Sequence, residues 1–136
     1  MRLLCFQARR FAWKSFLKTL EDVPDQDVDE ARDDALVAFI HLERRDEEDR
    51  ARVFRHMLKH VKWLANKRKL ETVVLHSFTH LGADTADAEF ARAFMQEMDE
   101  RLQSTGYQVA QTPFGYFCSW QLDVYGESLA KVYKEI

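Results

Sequence analysis

The sequence predicts an α/β protein, a mixed β-sheet with helices packed on it. Three observations predict this class. Two stretches carry apolar residues at the three- and four-residue spacing of an amphipathic helix. Apolar runs of strand length, rich in β-branched and aromatic residues, lie around them. One late segment, from Tyr116 to Val124, alternates with a period of two. With 136 residues, 46% of them hydrophobic, only 4 glycines, 2 prolines and no internal repeat, the chain suits one densely structured domain spanning 1–136.

Residues 2–6 read as a short buried strand, and Arg9 to Phe16 as a second extended segment or short helix. Glu21 to Asp34 is expected to be a polar connector and the most mobile part of the chain, because its acids repel one another and Pro24 disfavours a continuous helix. Ala35 to Glu43 is an apolar run suited to a strand buried on both faces. The clearest helix is Arg50 to Asn66, where Phe54, Met57, Leu58, Val61, Leu64 and Ala65 make one apolar face. Thr72 to Phe78 follows as a central strand. A second helix has Phe90, Phe94, Met98 and Leu102 on its apolar side, Asp84 or Thr85 as its cap and Gly106 at its end. Tyr107 to Gln111 and Tyr116 to Tyr125 read as two strands joined by the turn at Pro113 and Gly115. In the second, Tyr116, Cys118, Trp120, Leu122 and Val124 share a face. Glu127 to Glu135 suits a short terminal helix.

The formal net charge of −3 conceals strong segregation. Glu21 to Asp34 holds eight acids and one base, whereas Arg50 to Lys69 holds eight bases and no acid. On the helix, Arg52, Arg55, Lys59 and Lys62 align as a basic stripe, with His56, Trp63 and Lys67 beside it. A solvated face explains such a stripe in most proteins; the run of bases and an adjacent stacking ring put contact with a nucleic-acid backbone on an equal footing with it. Two cysteines in separate apolar segments, Cys5 and Cys118, imply a reduced, cytoplasmic protein, not a disulfide framework. The opening MRLLCF falls short of a signal-peptide core and no run approaches a membrane span, so no membrane partner is expected.

His80 is the first candidate for chemistry, since it sits where a buried strand ends and a loop begins. A backbone-satisfied loop histidine is the plainer reading. A metal set of His76, His80, His41 and Cys118 has no diagnostic spacing, and the His56/His60 pair lacks the glutamate of a zinc-protease helix, so neither a metal nor another cofactor is expected. Cys118 reads as a small core hydrophobe unless a cation, with Lys131 the candidate, favours its thiolate.

Taken in order, "MRLLCF", "ALVAFIHLERRDE", "TVVLHSFTHL", "STGYQVAQTPFGYF" and "GESLAKVYKEI" resemble the editing domain of archaeal threonyl-tRNA synthetases, which shares its fold with D-aminoacyl-tRNA deacylases. The most specific portions are F-x-H-L at a strand end and P-F-G-Y some thirty residues later. The resemblance implies a partial barrel of D-aminoacyl-tRNA deacylase-like fold and hydrolysis of the ester joining a wrong amino acid, serine, to threonine tRNA. No metal or cofactor is implied, because the terminal ribose 2′-hydroxyl helps to activate water. It assigns His80 to the pocket, Leu42, Ser77 and Phe78 to its lining, and Phe114, Gly115, Tyr116 and Phe117 to its aromatic wall. Where the family carries a lysine this chain has Cys118, and where the family has that lysine's glutamate partner it has Lys131. If the two adjoin, Lys131 supplies the cation from across the pair.

The expected function is therefore a freestanding deacylase acting in trans on mischarged tRNA. Arg52, Arg55, Lys59, Lys62 and Lys67 would hold the acceptor stem. A homodimer with Trp63 or Phe117 at its interface, and a separately encoded synthetase, are the protein partners implied. A binding module that has lost the chemistry, or a homodimeric regulatory domain, are the alternatives.

Overall fold

In the computed structural model, which describes residues 1–136, β1 (Arg2–Lys18) is the spine of a single sheet. It pairs antiparallel with β2 (Asp29–His41) along one edge. β3 (Thr72–Ser77) and β4 (Gln108–Gln111) extend that side with parallel pairings. The other edge of β1 is shared by β5 (Tyr116–Val124), opposite residues 8–18, and β6 (Lys131–Glu135), opposite residues 2–6. The strand order is β4-β3-β2-β1-β5, with β6 on β1.

That order makes β4 and β5 opposite edges of the sheet, although only residues 112–115 join them. Crossing four flat inter-strand spacings takes about 19 Å. A four-residue link reaches at most about 18 Å when fully extended, and this one contains a turn, so the sheet must curl. It does: Trp120 of β5 meets Phe39 of β2 at 5.3 Å between ring centroids, over the top of β1.

The sheet separates two cores. One face carries Leu3, Cys5, Leu36, Ala38, Ile40, Val73 and Leu75 against α2 (Arg50–Lys67) and α3 (Ala88–Ser104). The concave face carries Ala8, Phe11, Trp13, Val37, Phe39 and Val74. A bulge between Ala8 and Arg10 lets β1 serve both, because one extra residue inverts the alternation of everything after it. Cys5 thus faces the helices whereas Phe11 and Trp13 face the concavity.

Several expectations are corrected. The two N-terminal segments are one strand. The connector is half strand, since Asp29 to Asp34 belong to β2. Their repulsion is relieved across the ladder, where Arg10 meets Asp33 at 3.0 Å and Lys14 meets Asp29 at 3.7 Å; Lys18 similarly holds Asp25 at 2.8 Å. Each exposed pair is worth at most about 1 kcal/mol, but together they explain why the acidic block and the N-terminal bases lie together. A short helix, α1 (Arg44–Glu48), precedes α2. Asp87, not Asp84 or Thr85, caps α3, accepting from the Glu89 and Phe90 amides. The expected terminal helix is a single 3-10 turn, Ser128–Ala130, followed by β6. β5 leaves residues 2–6 of β1 unpaired, and satisfying that edge outweighs the local helical preference of "SLAKVYKE". Finally, the turn at Pro113 and Gly115 does not close a hairpin, because β4 and β5 never pair. No helix is long and apolar enough to cross a membrane.

Candidate functional site

A cleft of about 340 Å³ opens at the end of β3, where the curled sheet brings three segments together. Its size is that of small ligand sites. One wall is Ser77, Phe78, Thr79 and His80. The facing wall is the run from Pro113 to Cys118, with Trp120 behind it, and the start of α3 closes the side with Thr85, Ala86, Ala88 and Ala91. Thr19 and Leu20, just beyond β1, complete it.

The turn is held by backbone as much as by side chains. The Gly115 carbonyl accepts from the amides of Thr19 at 2.7 Å and Leu20 at 3.3 Å. Gly115 has φ +81, and a Cβ there would lie 2.9 Å from Val23 Cγ1, so glycine is required twice over. The Tyr116 hydroxyl donates to the Pro24 carbonyl at 2.9 Å and accepts from the Gln26 amide at 3.0 Å, tying the acidic connector to the same wall. Phe117 and Trp120 remain largely exposed.

At the floor, His76 is buried and lies edge-on to Phe39 at 4.7 Å. Its Nδ1 is 2.8 Å from the Thr112 hydroxyl, a bond joining the end of β3 to the residue before Pro113. Burial drives its pKa down to about 4, so His76 is neutral at physiological pH. His80 is exposed at the rim, with its ring 4.9 Å from that of Phe78. Burial pushes the Cys118 thiol up, leaving it protonated. No lysine or arginine lines the cleft.

The structure therefore gathers His80, Ser77, Phe78, Phe114, Gly115, Tyr116, Phe117 and Cys118 into one cleft. It does not bring Lys131 there. Cys118 pairs with Ser15 and Lys131 with Phe6, positions on β1 separated by roughly 30 Å at about 3.3 Å per residue. The Lys131 ammonium instead donates to the Tyr125 and Gly126 carbonyls at 3.1 and 3.4 Å. Leu42 is not in the lining either: it is 4% exposed, within the helix-side core. His41 is committed elsewhere, its Nδ1 accepting from the Leu81 amide at 3.0 Å and its Nε2 lying 2.6 Å from the Asp84 carbonyl. Arg52, Arg55, Lys59 and Lys67 are exposed and Lys62 half-buried on α2, as the helical spacing requires.

Sequence reasoning did not place His76, Trp120, Thr112, Thr19 or Leu20 at the cleft. His76 and Trp120 carried a usable signal, since period two puts them on the faces of Val74 and Cys118. Thr112 and the pair Thr19/Leu20 carried none, because their roles depend on how the sheet curls.

A model of the family described as the Archaea-specific editing domain of threonyl-tRNA synthetase matches residues 1–136. The chain belongs to this family. Among its relatives, the threonine-tRNA ligase of Staphylothermus marinus is 30% identical over 141 residues, an alignment covering 100% of this chain and 22% of that protein. That of Thermococcus kodakarensis is 29% identical over 120 residues, covering 88% of this chain and 19% of that protein. The chain thus spans about a fifth of the length of these relatives. Its fold matches a solved structure, the c-Myc DNA Unwinding Element Binding Protein, with a TM-score of 0.70 over 100% of this chain and 99% of the other, at 12% identity. The architecture is the expected α/β mixed sheet curled into a half-barrel with helices on it, D-aminoacyl-tRNA deacylase-like.

Proposed function

We propose that this editing domain hydrolyses the ester of mischarged tRNA, serine on threonine tRNA being the first candidate substrate, and that it acts in trans as a freestanding domain. The convergence of the His80 loop and the Phe114 corner on one cleft carries the reading. Phe114, Tyr116 and Phe117 supply the aromatic surface that adenine needs, and Ser77 and Phe78 face the small aminoacyl group. His80 at the rim positions water against the ester carbonyl. Water adds to that carbon, the bond to the ribose oxygen breaks, and the ribose oxygen takes up a proton. With no lysine or arginine in the lining, donors such as His80, Ser77 and backbone amides must meet the developing oxyanion.

The basic stripe of Arg52, Arg55, Lys59, Lys62 and Lys67 would hold the acceptor stem. Of its members, only Arg52 pairs with an acid, Asp49. A cytoplasmic site of action, a homodimer, and a separately encoded synthetase as supplier of substrate belong to the same proposal.

A panel of aminoacyl-tRNAs incubated with the chain alone, without any synthetase, tests it. Hydrolysis of seryl-tRNA or another small aminoacyl-tRNA, lost in His80→Ala, is expected; no ester loss above buffer across the panel overturns it. One observation favours a second reading, a pocket that binds but does not cleave: no lysine or arginine lines the cleft. Binding without hydrolysis is its signature, so affinity for a non-hydrolysable seryl-adenosine analogue is measured in parallel.

A further inference from the structure

A second concavity, of about 700 Å³, lies between α2 and β6, on the helix-covered side of the sheet. α2 contributes His56, Lys59, His60 and Trp63, and β6 contributes Tyr133 and Lys134. No carboxylate lines it. The ion pairs of α2 are Arg50 with Glu97 and Arg52 with Asp49, which leaves Lys59 unpaired, as Lys134 is. His60 is 8% exposed and its Nε2 is buried without a hydrogen-bond partner. A buried ring nitrogen left unpaired in a basic groove is costly unless something else meets it. Burial, and then the charge of Lys134, lower its pKa; an anion would offset both.

Beside these cations stand two exposed rings. Trp63 is 45% and Tyr133 48% exposed, and Lys67 Nζ lies 5.5 Å from the Trp63 ring. The Tyr133 hydroxyl is held by Arg2 at 3.1 Å, which fixes one side of the groove. A bare phosphate would need neither the rings nor this volume. Cations interleaved with stacking surface suit a nucleotide backbone whose bases are unpaired.

We propose that the groove between α2 and β6 binds an unpaired segment of nucleic acid, with a phosphate met by Lys59, His60 and Lys134 and a base stacked on Trp63. It deepens the reading above, resting on it for the identity of the RNA as the charged tRNA, and it places one contact well away from the ester cleft.

A short labelled oligouridylate ending in a 3′-phosphate tests this by fluorescence anisotropy, since it lacks the terminal adenosine that the cleft would take. Binding is expected to weaken roughly 5- to 100-fold in Trp63→Ala and to recover partly in Trp63→Phe, which separates lost stacking from a lost fold. Lys134→Ala should reduce the slope of log affinity against log salt by about 0.7. Either unchanged binding in Trp63→Ala or complete competition by inorganic phosphate overturns the proposal. Ester hydrolysis reads the other site: hydrolysis without groove binding sinks this inference alone, and groove binding without hydrolysis sinks only the deacylase reading.

Discussion

The buried His76 imidazole and the Thr112 hydroxyl are hydrogen-bonded at 2.8 Å, and through them the strand bearing the His80 loop is tied to the turn bearing Phe114. Thr112→Val preserves the shape of the side chain but leaves the His76 nitrogen without its partner. The expected loss of stability is about 1–3 kcal/mol, read by urea denaturation. The cleft should also loosen, so weaker binding of a seryl-adenosine analogue accompanies it. An analogue affinity unchanged in Thr112→Val would show that the bond has only a folding role.

His76 also sets a pH dependence. Its pKa falls from 6.5 in the unfolded chain to about 4 when folded, through burial. Between those values the unfolded chain binds a proton that the folded chain does not, so stability falls as pH falls through this window. The gap amounts to about 3 kcal/mol by pH 4. His60 is shifted in the same direction, first by burial and then by Lys134, and adds to the slope. Glu43 acts lower. Burial raises its pKa, but the Arg2 and Met1 cations prevail and hold it at about 2, so its contribution is lost only below 4.5. Denaturation between pH 4 and 7 should therefore give a shallower slope for His76→Phe than for the parent, and the His76 ring should show no NMR titration near 6.5.

The helices and central strands were legible because local periodicity and tertiary demand agree there: Phe54, Met57 and Val61 recur at helical spacing and all face one core. The ends of the chain were not. Val132 can sit on a helix or a strand, and the open edge of β1 decides between them. The bulge at Arg9 was equally invisible, since nothing in "QARRF" marks where the alternation inverts. For the cleft, motif resemblance reached the residues within each segment, such as His80 and Phe114. Lys131 was misjudged because a sequence cannot show that its strand and that of Cys118 meet β1 at different heights.

Gly115 gives a sharper test of the turn. Gly115→Ala forces a side chain into a left-handed conformation and against Val23. A cost of about 1–3 kcal/mol is expected. Adding Val23→Ala removes the closest contacts, leaving the backbone strain and Leu20 Cβ at 3.2 Å, so the double variant should recover part of the loss. Thermal unfolding of the two single variants and the double measures the coupling, and strict additivity would exclude a steric contact as its source.

Cys118 and Lys131 separate the chemistry from the resemblance. The Cys118 thiol is protonated, so it contributes neither a charge nor a nucleophile, and Cys118→Ser should keep hydrolysis within about threefold, a change worth less than 1 kcal/mol. Lys131 has its ammonium on two backbone carbonyls far along β1. Lys131→Ala should therefore leave the rate essentially unchanged and be felt, if at all, in stability. Cys118→Lys would put an ammonium into a cleft that has no lysine or arginine, close to where an oxyanion would form. Because one such donor is worth on the order of a hundredfold, single-turnover deacylation by Cys118→Lys should be faster than by the parent. A rate that falls in Lys131→Ala as far as it does in His80→Ala would contradict this geometry. A Cys118→Lys variant that binds the analogue but gains no rate would mean that the donors already present meet the oxyanion in this chain.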